Sequence, residues 1–189
     1  MTEPRHADLA YPGGLRVRFR WAGSGEGPAV FALSEQGGAL VDHGPLVASD
    51  YERLCRAELR VETPGGAWVA RLASPIWDDP AAVLWDLPGL LVVKYGFVTY
   101  AFEARSGELR WTHRAGTPLV AVLASSRLDH VLVQADLETF AVRADGDVAW
   151  RLAHSDVVAG VELVGGRLIL TSFEGQRQVV DPESGESAG

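Results

Sequence analysis

Glycines at positions 107, 146 and 185 stand 39 residues apart, and a tryptophan follows the first two by four residues, at Trp111 and Trp150. A fixed period in this range marks a repeat architecture, in which each unit is one supersecondary element that cannot bury its apolar face alone. Such a chain must be built by stacking copies, and the text between the glycines shows what one copy is.

That text is strand-like. "LLVV" (90–93), "VLV" (131–133) and "LIL" (168–170) are each followed, after a few polar or small residues, by a second β-rich run: "VTYAF" (98–102), "ETFAV" (138–142) and "QVV" (178–180). The turns "ARSGE", "ADGD" and "PESGE" come next, where glycine supplies the positive φ that a tight turn needs. Evenly spaced short strands separated by turn signals predict an all-β sandwich, barrel or propeller. The best helical candidate is "SDYERLC" (49–55), in which Ser49 and Glu52 have capping-box spacing.

The segment "AFEARSGELRW" resembles the tryptophan-docking repeat of quinoprotein-like (PQQ-like) β-propellers. That repeat has Ala, an acidic residue two positions on, a turn ending in Gly, and Trp four residues later. The match falls on Ala101, Glu103, Gly107 and Trp111. A second copy keeps Ala141, Gly146 and Trp150, with Arg143 in the acidic position and a turn one residue shorter; a third keeps Asp181 and Gly185. The likeness covers residues 83–189. It implies four-stranded blades and no quinone cofactor, because many propellers with this repeat are scaffolds. In a radial array of blades, a large indole fills the gap between neighbours while its N–H finds a carbonyl.

The first half fits less well. "FALSEQGGALV" (31–41) keeps the second copy's spacing at Ala32, Gly37 and Val41, and "RVETPGGAW" (60–68) is a looser echo around Gly66 and Trp68. The interval of 29 residues between Gly37 and Gly66 is too short for a whole blade of this type. The expected organisation is a single antiparallel β-repeat domain over 1–189, propeller-like or an open partial propeller. It has clear repeats at 90–189, degenerate β units at 15–74 and a flexible segment at 1–12. The alternating segment "LRVRFRW" (15–21) is expected to pair with Leu168–Val180, a terminal closure that would remove two exposed sheet edges.

A net charge of −8 argues against wrapping nucleic acid, which requires a basic surface, and favours a basic protein partner. No apolar run approaches the roughly 18 residues that span a bilayer, and the start has no signal-like apolar core, so the expected location is cytoplasmic. Cys55 is the only cysteine, which excludes an intramolecular disulfide and a thiolate zinc cluster and suits a small core residue. His6, His43, His113, His130 and His154 lack metal-site spacing, and "GSGEG" (23–27) lacks the lysine of a phosphate loop. There is no Gly-x-Ser-x-Gly elbow. No catalytic, cofactor or metal residues are therefore assigned.

Two groups are candidate partner contacts. Arg16, Arg18 and Arg20 alternate with Leu15, Val17, Phe19 and Trp21, and face either an anionic partner or carboxylates such as Glu58 and Glu62. Trp77, Asp78 and Asp79 head the aromatic and acidic cluster "IWDDPAAVLWDLPG" (76–89). The expected function is non-enzymatic binding of another protein by a monomer or homodimer, with immunity-type neutralisation of a basic partner as one version. The alternative is a small-molecule binder or enzyme with its ligand in the axial channel.

Overall fold

The computed structural model describes residues 4–22, 40–43 and 55–188, and the secondary structure in them is β. The strands form four sheets. The first contains β1 (Arg5–Tyr11), β2 (Leu15–Ala22), β4 (Cys55–Thr63) and β5 (Gly66–Ser74), with β3 (Leu40–His43) added parallel to the outside of β5. The second is the antiparallel meander β6 (Ala81–Trp85), β7 (Leu90–Tyr95), β8 (Val98–Glu103) and β9 (Leu109–Arg114). The third repeats it with β10 (Leu119–Leu123), β11 (His130–Ala135), β12 (Glu138–Arg143) and β13 (Val148–Ala153). The fourth has three strands, β14 (Val158–Val164), β15 (Arg167–Ser172) and β16 (Arg177–Val180).

The register shows that all four sheets are copies of one unit. One row of directly opposed residues runs across each sheet: Leu9, Val17, Val61 and Trp68 in the first; Val83, Val92, Ala101 and Trp111 in the second; Leu123, Leu132, Ala141 and Trp150 in the third; Glu162, Ile169 and Val179 in the fourth. Side chains alternate faces along a strand, so each row lies on one face of its sheet, and in the first three sheets that face is directed at the next sheet in the chain. Three apolar cores result, each shared between consecutive sheets. Because both faces of the middle two sheets are buried, their central strands read as near-continuous apolar runs, as in "LLVV". The architecture is an open partial propeller of four blades.

The indoles fasten each blade to the next. The Trp68 N–H donates to the Ala104 carbonyl at 3.0 Å, Trp111 to Ala144 at 3.2 Å and Trp150 to Pro182 at 3.2 Å. Beneath each ring lies a glycine of the receiving turn: Gly107, Gly146 and Gly185, at φ of 76°, 97° and 75°. A Cβ at Gly107 would lie 2.5 Å from Trp68, and one at Gly185 would lie 2.5 Å from Trp150. The 39-residue glycine period thus has two causes at once, the left-handed turn and the room the indole requires. Glu103 and Asp181 brace their turns by accepting from the Ser106 hydroxyl and the Glu183 amide.

One expectation is corrected. Segment 15–21 does not close onto Leu168–Val180: β2 is an interior strand whose edges are filled by β1 and β4, and β15 pairs with β14 and β16. Arg5–Tyr11 forms the inner strand of blade 1 in a seven-residue ladder with β2, and β4 and β5 complete that sheet's antiparallel meander. The candidate helix at 49–54, the echo at Ala32 and Gly37 and the "GSGEG" segment lie outside the described residues, while Val41 falls in β3.

Candidate functional site

The hairpin turns β7–β8, β11–β12 and β15–β16 and the connections entering blades 2, 3 and 4 share one end of the blades, here called the upper face. Main-chain hydrogen bonds stitch it together from blade to blade. Leu119 N donates to Gly96 O, Asp136 N to Pro118 O, Val158 N to Asp136 O and Phe173 N to Val157 O, at 2.8–2.9 Å. Backbone positions so fixed hold their side chains in a defined arrangement.

Those side chains include large apolar groups in water. Phe173 is 81% exposed, and Leu137 and Val157 are also exposed on the turn and connection that these main-chain bonds link to it in sequence. Asp136, Asp156 and Glu174 border the three, and none has an ion-pair partner among the described residues. Burial raises the Asp136 pKa above its ordinary value, so the carboxylate is held at a cost. The strands β11, β12 and β13 that flank the Leu137 turn carry a polar network. Gln134 Nε2 donates to the Ala135 and Glu138 carbonyls, the Thr139 hydroxyl donates to Gln134 Oε1 at 2.5 Å, and His154 Nε2 lies 2.6 Å from Thr139 Oγ1. With the Thr139 proton committed to Gln134, His154 acts as the donor to Thr139.

Burial lowers the His154 pKa below 6.5. The folded state therefore binds this proton less readily than the unfolded chain. Its stabilising contribution is complete above the unfolded value and declines as pH falls through it toward the lower folded value. Thermal melts between about pH 8 and about pH 5 should show the wild type losing more stability than His154→Gln. Parallel pH profiles of the two proteins would refute the assignment.

The residues singled out from sequence are placed elsewhere. Asp78 accepts from Lys94 Nζ and from the Gly96 amide, both at 2.7 Å, and Lys94 also reaches Leu119 O. Asp79 accepts from the Trp21 indole at 2.8 Å and pairs with Arg5, whose guanidinium sits 5.0 Å from the Trp77 ring centre. Asp79 thus ties the connection entering blade 2 back to blade 1 and Asp78 anchors it to blade 2, with Trp77 beside them 47% exposed. Arg16, Arg18 and Arg20 lie on the face of blade 1 away from blade 2. Arg18 pairs with Asp8 and Glu62, Arg16 approaches Asp8 at 3.9 Å, and Arg20 stands opposite Glu58 in the ladder. The structure brings neither group to the apolar patch.

On the lower face, a trough of 1020 Å³ runs where blades 3 and 4 meet, between Val122, Leu128, Leu163, Arg127, Arg167 and Glu183. A second, of 800 Å³, lies between blades 1 and 2 beside Trp68 and Leu87. His113 and His130 are committed to the Gly146 and Pro182 carbonyls at 2.6 Å. Among the described residues, no three His, Cys, Asp or Glu side chains are placed to hold a metal ion, and no helix is long and apolar enough to cross a membrane. Cys55 is buried. Leu137, Val157 and Phe173 escaped the sequence reading; their only signal is a large apolar residue inside a polar turn, in "ADLE", "SDVV" and "SFEG".

No family model matches the chain, and no curated protein matches it. Solved structures do. BamB from Moraxella catarrhalis is 18% identical with a TM-score of 0.52, over 70% of this chain and 41% of BamB. Residues 644–1017 of HIRA are 11% identical with a TM-score of 0.53, over 99% of this chain and 52% of that structure. Both are β-propeller proteins, and the chain spans about half the length of each or less. The likeness is one of fold.

Proposed function

We propose that this chain is a binding scaffold that presents Leu137, Val157 and Phe173 on its upper face to a protein partner. The observation that carries the reading is the 81% exposure of Phe173, on a turn fixed by a main-chain bond to Val157. Large aromatics in water on a rigid frame are the usual anchors of protein interfaces, because they bury much area at little cost in conformational entropy. Asp136, Asp156 and Glu174, without ion-pair partners among the described residues, and the net charge of −8 favour a partner carrying Lys or Arg around an apolar centre. An immunity-type neutralising protein would use this face in that way. The indole contacts are those of a tryptophan-docking repeat of the PQQ-like kind, serving cohesion and leaving the upper face free.

The test compares wild type with Phe173→Asp and with Arg105→Glu on the lower face, each immobilised and exposed to extract of the source cells. A protein retained by wild type and by Arg105→Glu but lost from Phe173→Asp is the expected result. Phe173→Asp should shift unfolding stability by no more than about 0.5 kcal/mol, since the ring packs on little. Equal retention by all three proteins would remove the upper face from consideration.

A further inference from the structure

The lower-face trough of 1020 Å³ between blades 3 and 4 has the size of a small-molecule site, and its character changes along its length. Its inner end is apolar. The first strands of successive blades, β6, β10 and β14, approach one another there. Val83, Val122 and Leu163 on those strands are half-buried, packing part of their surface on the cores between blades and turning the rest to the trough. Its outer end is acidic. Asp181 and Glu183 belong to the turn after β16, which the Trp150 bond to Pro182 holds against the last strand of blade 3. Between these ends each wall supplies one arginine: Arg127 in the β10–β11 connection of blade 3, and Arg167 at the start of β15 in blade 4. Both are exposed, and neither has an ion-pair partner among the described residues, Glu183 included.

We infer that this trough binds an amphipathic monocarboxylate, with its carboxylate shared by Arg127 and Arg167 and its apolar body lying on Val122, Leu163 and Val83. A guanidinium presents a planar fork of N–H donors that matches a carboxylate, and one from each wall fixes the group between them. The apolar body leaves water against side chains that are already half-buried, which adds affinity without new polar contacts. The acidic end decides the charge of the ligand. One negative charge sits beside the two arginines, whereas a second would be pushed toward Asp181 and Glu183, so a phosphate ester is disfavoured by the same site that accepts a carboxylate. Access is open because the β14–β15 turn is Gly165-Gly166, at φ of 58° and 74°, with no side chain over the mouth. The trough and Phe173 lie on opposite faces, so this inference stands apart from the reading of the upper face.

Isothermal titration of the full 189-residue chain with octanoate tests it. The expected dissociation constant is on the order of 100 µM. Arg127→Gln and Arg167→Gln should each weaken binding about tenfold, while Arg105→Gln, in the trough between blades 1 and 2, should leave it unchanged. Acetate lacks the apolar body and octanol lacks the charge, so each should bind at least about tenfold more weakly than octanoate. Octyl phosphate, close to doubly charged at neutral pH, should bind the wild type poorly and gain more than octanoate does from Glu183→Gln. The substituted positions are exposed, so melting temperatures should match the wild type. No binding at about 1 mM octanoate, binding indifferent to both Arg127→Gln and Arg167→Gln, or octyl phosphate binding as tightly as octanoate overturns the proposal.

Discussion

Replacing Asp78 with alanine is expected to lower the unfolding free energy by about 3–5 kcal/mol. Lys94 is the only lysine in the chain. Its side chain is nearly inaccessible, 2.7 Å from Asp78 Oδ1, and it ties the connection entering blade 2 to β7 and to the start of β10. Removing the carboxylate leaves an ammonium without a counter-charge in a desolvated site, and also leaves the Gly96 amide without its acceptor. The substitution costs more than the pair contributes, because a buried charge is penalised most when alone. Asp78→Ala/Lys94→Met should therefore recover most of the loss, to within about 1–2 kcal/mol for the hydrogen bonds not replaced. Urea titrations of the wild type, both single variants and the double variant complete the cycle. Additive losses would show that the two groups do not act as a pair.

Trp68→Ala is expected to cost about 3–5 kcal/mol, and the same change at Trp111 and then at Trp150 progressively less. Trp68 is almost fully buried and its ring lies 5.3 Å from that of Phe102, whereas Trp111 and Trp150 are increasingly open to solvent. Nothing refills the volume left between two rigid sheets, so the loss combines transfer and cavity terms. Trp68→Phe keeps much of the apolar area but gives up the bond to Ala104, worth about 1 kcal/mol. Denaturant midpoints at constant slope measure the series. Equal losses at all three positions would mean that burial does not grade these contacts.

The blades of the second half were legible because their strands follow one another without interruption and each turn repeats the same glycine. Gly107, Gly146 and Gly185 carry that signal, and their structural partners are the tryptophans of the preceding blades. Blade 1 hid the same unit. Residues 23–54 intervene between its second and third strands, so the row from Leu9 to Trp68 is scattered over sixty residues and no fixed period survives. Gly66 sits in the turn equivalent to that of Gly107, but a Cβ there would meet nothing within 4 Å among the described residues. Its spacing is accordingly unconstrained. The site was less legible than the fold. Trp77, Asp78 and Asp79 form the densest local cluster, yet their partners Arg5, Trp21 and Lys94 come from three other strands. Leu137, Val157 and Phe173 lie up to 36 residues apart and become one surface only through bonds between blades.

The two faces of the arc differ in how much change they can absorb. Every lower turn that receives an indole must keep its length, its carbonyl and its glycine, so three such turns are frozen by their neighbours. The β2–β4 junction opens on the opposite face, and there the chain already accommodates the thirty-two residues 23–54 without losing the ladder between the flanking strands. Grafted peptides, affinity tags or fluorescent reporters belong at that junction. The fold behaves as a fixed chassis with one junction open to redesign.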